Sequence, residues 1–229
     1  MEKISLITTA DGSHSLHLDN IGEGYHSTQG AIAEAKHVYI NPNLAIISKA
    51  TQEITIFEMG FGTGLNALLT LLYAEKHNLH IQYYSAEAYP VDKEIYTQLN
   101  YPTLCSENPQ VKSYFLNMHQ AEWNTAIEIT SHFTLTKLLG DAQETLKGLN
   151  IRFDCCYYDA FAPQYQPELW SESIFKRLYE LANPEAILST YCCKGDVKRA
   201  LKAAKFNIEK IPGFANKREM LRATKGETL

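Results

Sequence analysis

The chain's 229 residues, 45% of them hydrophobic, suffice for one sizeable core, so residues 1–229 are read as a single α/β domain. No run of about 18 apolar residues appears, and the start, Met1-Glu2-Lys3-Ile4-Ser5, lacks the profile of a secretory signal; a soluble, cytoplasmic protein with no membrane partner is expected. The net charge of −5 speaks against nucleic acid only until its distribution is counted: ten of the 21 Lys and Arg follow Tyr191, leaving +6 after that residue and −11 up to it.

In chain order, Ile4–Thr9 and Ser13–Leu18 flank an Asp11-Gly12 turn signal and read as a β-hairpin, with a helix over Ser27–Tyr39 completing an N-terminal extension of residues 1–50. Ile54–Met59 is a short apolar run of the kind that forms a buried parallel strand. Strands over Ile81–Ala86, Phe133–Leu139, Phe153–Tyr158 and Ala186–Tyr191 then alternate with helices over Leu65–Lys76, Asp92–Leu99, Ala142–Leu149, Ser171–Leu181 and Val197–Lys205. Such alternation builds a parallel sheet. Two last strands, Asn207–Ile211 and Glu219–Ala223, flank Pro212-Gly213 as a tight hairpin, which matches the seven-stranded, Rossmann-like class I methyltransferase sheet. Residues from about 100 to 132 interrupt the rhythm and read as a helical insertion over the sheet edge, serving core packing. Cys105 and the adjacent pairs Cys155-Cys156 and Cys192-Cys193 fit neither a disulfide framework nor CxxC spacing; they read as reduced thiols, and no metal site is assigned.

Glycine loops after parallel strands let backbone N–H groups approach a ligand. Glu58-Met59-Gly60-Phe61-Gly62-Thr63-Gly64-Leu65-Asn66 occupies that place after the first strand, and its GxGxG spacing lacks the sixth-position glycine of a dinucleotide loop. A ligand without pyrophosphate tolerates a carboxylate such as Glu58 beside the loop. Glu87, 25 residues after Gly62 at the end of the next strand, suits the two hydroxyls of a ribose. Asp141 follows Leu138-Leu139-Gly140 and suits either an adenine amino group or an N-cap. The set Glu58, Gly60, Phe61, Gly62, Thr63, Gly64, Asn66, Glu87, Asp141 and Asp159 therefore points to S-adenosylmethionine. Asp159, in Tyr157-Tyr158-Asp159-Ala160-Phe161-Ala162-Pro163, ends the fourth strand, where an acceptor is held in this fold.

These motifs, with Tyr25-His26-Ser27, Gly30-Ala31, Glu34, His37-Val38-Tyr39, Pro167-Glu168-Leu169-Trp170 and Lys217-Arg218-Glu219-Met220-Leu221, make the chain resemble the bacterial tRNA 5-methylaminomethyl-2-thiouridine methyltransferases. The resemblance covers nearly the whole chain. It implies N-methylation of the aminomethyl group of 5-aminomethyl-(2-thio)uridine at tRNA wobble position 34, with the anticodon stem-loop as partner. Many relatives are fused to an FAD-dependent oxidase; this chain shows no second fingerprint and looks like the stand-alone form. Pro184-Glu185-Ala186 replaces the usual Pro-Gly-Gly turn, and Cys192-Cys193 is placed on the pocket floor.

On that reading Asp159 holds the acceptor amine and is the first catalytic candidate, with His26 and Tyr25 closing the pocket. Phe161, Tyr165 and Trp170 offer aromatic surface to a flipped base, with core packing claiming at least one of them, and Lys217 and Arg218 offer charge to phosphates. Two other readings fit the residues. One is a methyltransferase or aminopropyltransferase for a small free amine, favoured by the acidic bulk; the other is a non-catalytic tRNA-binding module.

Overall fold

In the computed structural model, which describes residues 4–20 and 22–226, β1 (Ile4–Thr8) and β2 (His14–Leu18) pair antiparallel. Asp11 closes their turn by accepting from the Ser13 N–H at 3.0 Å and the Thr9 hydroxyl at 2.8 Å, and Gly12 supplies the left-handed φ of 81°. A third strand, β3 (Glu23–Gly24), widens the expected hairpin into a three-stranded sheet.

The expected Ser27–Tyr39 helix starts later and runs further. It is α1 (Ala31–Ala35), then a π-helix over Lys36–Leu44, then α2 (Ala45–Ile47). Pro42 lies inside the π segment, where its missing N–H removes one ordinary helical bond. Asn43 is carried into the sheet, its Nδ2 donating to the carbonyls of Cys156 at 3.1 Å and Ile187 at 3.0 Å.

The main sheet follows as β4 (Glu53–Met59), α3 (Leu65–His77), β5 (His80–Glu87), α4 (Lys93–Tyr96), α5 (Tyr101–Cys105), α6 (Gln110–Gln120), β6 (Ala126–Thr130) and β7 (Phe133–Leu139). It continues with α7 (Ala142–Gly148), β8 (Phe153–Tyr158), α8 (Glu172–Leu181), β9 (Ala182–Thr190), α9 (Gly195–Ala203), β10 (Asn207–Pro212) and β11 (Glu219–Thr224). The strand order is β10-β11-β9-β8-β4-β5-β7-β6, with β4, β5, β7, β8 and β9 parallel and β11 antiparallel to both its neighbours.

Seven of these strands are the expected ones, and β6 is an eighth. It falls inside the segment read as a helical insertion, which is helical only as far as Gln120. The alternating Ala126-Ile127-Glu128-Ile129-Thr130 covers the β7 edge, whose backbone groups would otherwise be unpaired. Tyr101, Phe115 and Met118 of the insertion are buried in the core layer around α3, so the insertion does pack against the core. The closing hairpin is looser than Pro212-Gly213 alone suggests, because residues 213–218 separate its strands.

Pro184-Glu185-Ala186 is not a turn between elements but an irregularity within β9, where pairing with β8 shifts register. Glu185 sits there at φ 64°, a conformation that costs a side-chain-bearing residue roughly 1–2 kcal/mol and glycine far less. α3 and the N-terminal helix cover one face of the sheet, and α7, α8 and α9 cover the other.

Candidate active site

The chain enters the sheet at β4, moves outward through β5 and β7, and returns to β8 on the opposite side of β4. The carboxyl ends of β4 and β8 are thus a topological switch point, where loops diverge and leave a crevice. A cavity of about 640 Å³ opens there, lined by the loops after β4, β5, β7 and β8 and by the N-terminal extension.

The glycine loop forms one end of it. Gly60, Gly62 and Gly64 take φ of 93°, 50° and 72°, all left-handed. A Cβ at Gly60 would lie 3.2 Å from the Asp159 carbonyl oxygen, and one at Gly64 would lie 3.0 Å from His119 Nε2. Side chains are excluded on both counts. Glu87 ties the loop to β5: its Oε2 accepts from Gly62 N at 2.8 Å and its Oε1 from Tyr89 N at 2.8 Å. Both oxygens are held in place while Glu87 lines the cavity. Asp141 caps α7, Oδ1 accepting from Gln143 N at 2.9 Å and Glu144 N at 3.2 Å, and it too lines the cavity. Capping and ligand contact are geometrically compatible. Phe61 and Thr63 contribute to the wall, Phe61 packing edge-on to His119 at 5.3 Å.

Glu58 behaves otherwise. Its side chain is buried beneath the loop and is absent from the cavity lining. Strand register explains this, since Glu58 pairs with Ser85 and Tyr157 on the face covered by α3, and Ser85 Oγ donates to its Oε2 at 2.6 Å. Burial lifts its pKa to about 8.

Asp159 adjoins the loop, its carbonyl facing Gly60 and its side chain lining the same cavity. Tyr39 OH donates to its Oδ1 at 2.5 Å and Asn66 Nδ2 to its Oδ2 at 2.8 Å. Desolvation outweighs those donors and raises the Asp159 pKa to about 6, so the group is ionised at neutral pH. Tyr25 lies over Gly62 and packs edge-on to Phe161 at 5.1 Å, and both line the cavity.

His26 has its Nδ1 3.0 Å from Ser15 Oγ and its Nε2 3.5 Å from Thr63 Oγ1, linking the N-terminal sheet to the glycine loop. Burial lowers its pKa to about 4. A neutral imidazole that weakly basic positions well and accepts protons poorly.

Two of the expected nucleic-acid contacts, Trp170 and Tyr165, lie outside the cavity lining. Trp170 is buried, its Nε1 donating to the Phe161 carbonyl at 2.8 Å and its ring packed among Tyr158, Phe175 and Tyr191. Tyr165 is half-buried and outside the cavity lining. Lys217 lines the cavity rim, its Nζ 3.0 Å from Glu34 Oε1 and 4.6 Å from the Tyr191 ring centroid, and both Lys217 and Arg218 are exposed. Cys192 packs in the core against the α9 face, and neither Cys192 nor Cys193 lines the cavity.

A family model described as S-adenosyl-L-methionine-dependent methyltransferase matches residues 106–226, more than half of the chain. The chain belongs to that methyltransferase family. It is 36% identical over 216 residues to the tRNA 5-methylaminomethyl-2-thiouridine biosynthesis bifunctional protein MnmC of Burkholderia mallei, and 36% identical over 214 residues to the protein of that name from Burkholderia thailandensis. Each match takes in 87% of this chain and 32% of the relative, so the chain spans about a third of their length. MNMC2 from Aquifex aeolicus shares the fold, with a TM-score of 0.81 at 24% identity over 100% of this chain and 72% of that one.

S-adenosyl-L-methionine is the cofactor of this methyltransferase, and the cavity fits it. The glycine cradle leaves backbone open to a ligand, and two carboxylates, Glu87 and Asp141, stand at the ends of successive parallel strands. No helix among the described residues is long and apolar enough to cross a membrane.

Tyr39, Glu34 and Tyr191 also line the methyltransferase cavity and were not singled out from sequence. Glu34 and Tyr39 are five residues apart, off the period of an ordinary helix, and the π winding between them turns both toward Asp159 and Lys217. Only their place in the family motifs marked them.

Proposed function

We propose that this methyltransferase transfers a methyl group to the primary amine of 5-aminomethyl-(2-thio)uridine at tRNA wobble position 34, giving 5-methylaminomethyl-(2-thio)uridine and S-adenosylhomocysteine. The observation that carries the reading is Asp159, a carboxylate fixed by Tyr39 and Asn66 in the same cavity as the Glu87 and Asp141 carboxylates. The Burkholderia relatives are tRNA 5-methylaminomethyl-2-thiouridine biosynthesis proteins, which supports a modified uridine of tRNA as the substrate.

When bound, S-adenosylmethionine supplies an activated methyl on a sulfonium, so most of the protein's work is alignment. Glu87 would hold the ribose hydroxyls, Asp141 the adenine amino group, and the loop from Gly60 to Gly64 the amino-acid end. Asp159 binds the acceptor amine by a charge-assisted hydrogen bond and orients its lone pair. An aliphatic ammonium, with a pKa on the order of 10 by analogy with lysine, must first lose a proton. Asp159 passes that proton to water rather than keeping it. Tyr25 and Phe161 form the aromatic wall for the flipped base, worth about 1–3 kcal/mol per stacked base.

The test is incubation with labelled S-adenosylmethionine and tRNA from a strain lacking the activity, followed by digestion and mass identification of the nucleoside. A labelled 5-methylaminomethyl nucleoside is expected. Labelling of free amines with none of tRNA would replace this reading by the small-amine one, and cofactor binding without turnover on either would replace it by a tRNA-binding module.

A further inference from the structure

Beneath the glycine loop lies a polar cluster that the transfer reaction does not use. Glu58, Asn66, Tyr83 and Ser85 are all buried, and the Glu58 carboxyl lies beside the side chains of both Asn66 and Tyr83. Ser85 Oγ donates to Glu58 Oε2, and Asn66 Nδ2 donates to Asp159 Oδ2. Three atoms of the cluster have no hydrogen-bond partner among the described residues: Glu58 Oε1, Asn66 Oδ1 and Tyr83 OH.

Turning the Asn66 amide over would set its oxygen against the Asp159 carboxylate, so Nδ2 must face Asp159 and Oδ1 must look for a donor elsewhere. The second Nδ2 hydrogen and the Tyr83 hydroxyl lie close enough to favour an ionised Glu58, as Ser85 does, but neither closes a hydrogen bond on Glu58 Oε1. Oε1 and Asn66 Oδ1 are thus both buried acceptors with no donor, each at the desolvation penalty of an unmade hydrogen bond. A proton on Glu58 turns one of those two bare acceptors into a donor for the other.

Charge points the same way. The groups facing Glu58 are Ser85 and Tyr83 on β5, Asn66 on α3, Cys156 and Tyr157 on β8, and Asp159 beyond the end of β8. Burial raises the pKa of the Cys156 thiol and the Tyr157 phenol, keeping both neutral, and Asp159 is itself negative at neutral pH. The nearest cation by strand register is Lys137, opposite Ser85 on β7. It is turned away, with its Nζ donating to the His119 carbonyl at 2.6 Å and lying 4.3 Å from the Trp123 ring centroid. An unpaired carboxylate so enclosed, beside a second one, takes up a proton.

We infer that Glu58 is a neutral carboxyl that donates to Asn66 Oδ1, aims the Asn66 amide at Asp159, and so keeps the single negative charge of the cluster on Asp159. Glu58 is thus a positioning residue rather than a cofactor ligand. The functional half of the inference rests on Asp159 holding the acceptor amine; the proton on Glu58 does not.

The test is infrared difference spectroscopy of the full chain at pH 7 against Glu58→Gln, combined with the pH–rate profile for single-turnover methylation. A protonated-carboxyl carbonyl band is expected in the wild type, absent from Glu58→Gln and fading as the pH passes about 8. Gln keeps one donor and one acceptor, so its turnover should stay within about threefold of wild type with an unmoved acid limb, whereas Glu58→Ala should lose ten-fold or more. Absence of the band would overturn the inference, as would an acid limb that moves to lower pH in Glu58→Gln, because that shift means a negative charge was removed. The band present with no methylation of tRNA would leave the proton in place and refute the reading of Asp159 instead.

Discussion

Asp159 accepts hydrogen bonds from Tyr39 and Asn66, yet desolvation still raises its pKa from 3.8 to about 6. The native state therefore binds this proton more tightly than the unfolded chain does. The resulting contribution is fully present below pH 3.8, is lost as the pH rises through about 6, and is a constant cost above that. Two pKa units correspond to about 3 kcal/mol, an upper figure for a group that retains some contact with water. Asp159→Asn removes the titration. It also sets an amide against Asn66 and weakens that hydrogen bond by about 1 kcal/mol at every pH. Urea unfolding of both proteins at pH 4.5 and pH 8 separates the two effects, because the hydrogen-bond loss cancels in the comparison. The stability of Asp159→Asn relative to wild type should improve by up to about 2 kcal/mol between those pH values, because pH 4.5 already lies above the unfolded pKa. Single-turnover methylation at saturating cofactor should meanwhile fall by two or more orders of magnitude, the range for a lost electrostatic group. A relative stability independent of pH would refute the burial argument, and near-normal turnover would remove Asp159 from the reaction.

His26 has the opposite sign: its pKa falls from 6.5 to about 4, so its contribution is present above pH 6.5 and lost as the pH falls through about 4. Replacing His26 with Gln should flatten acid destabilisation over that range by up to about 3 kcal/mol in urea titrations, and an unchanged acid limb would place the lability elsewhere. Glu87→Ala should weaken S-adenosylmethionine binding by about 1.5–3 kcal/mol by calorimetry, and unchanged affinity in a folded variant would withdraw its ribose role. Arg218→Ala should lower the salt slope of the tRNA Michaelis constant by about one unit. Lys217→Ala should lower it less, since Lys217 is already paired with Glu34; equal slopes would mean that Lys217 swings outward to RNA.

The parts of the fold that were legible are those fixed by local pattern. Ile54–Met59 and Phe153–Tyr158 are apolar runs buried on both faces, and Gly60, Gly62 and Gly64 take conformations that side chains disfavour, so composition alone marked them. β6 was hidden because its role is to cover an edge of β7, a partnership between segments that no local window displays. The π-helix was hidden for a similar reason. It depends on Pro42 and on Asn43 finding the carbonyls of β8 and β9, both far away in sequence. Glu58 misled because its spacing to the glycines was right while strand alternation turned its side chain toward α3. Which of Phe161, Tyr165 and Trp170 belongs to the core was not legible, because aromatic character suits a stacking surface and a core equally, and tertiary packing placed Trp170 in the core.

Charge placement reconciles an acidic chain with the proposed RNA substrate. On the proposed reading the acceptor meets Asp159, and Glu23 and Glu34 line the same cavity, with Lys217 offsetting Glu34. A protonated amine is drawn inward by that surplus, and a free anion is repelled. On the same side of the sheet, Lys194 follows the carboxyl end of β9, and Arg218 precedes the start of antiparallel β11, so cations stand where RNA would approach the mouth. The two signs are separated by depth. Exposed cations meet phosphates through about 8 Å of screening at physiological salt, whereas the buried carboxylates meet an amine where water is scarce. A small free amine can use only the inner field. A tRNA carrying an aminomethyl arm uses both, so on the proposed reading raising the ionic strength should weaken tRNA far more than it weakens a free amine, and the ratio of the two should report the cationic rim directly.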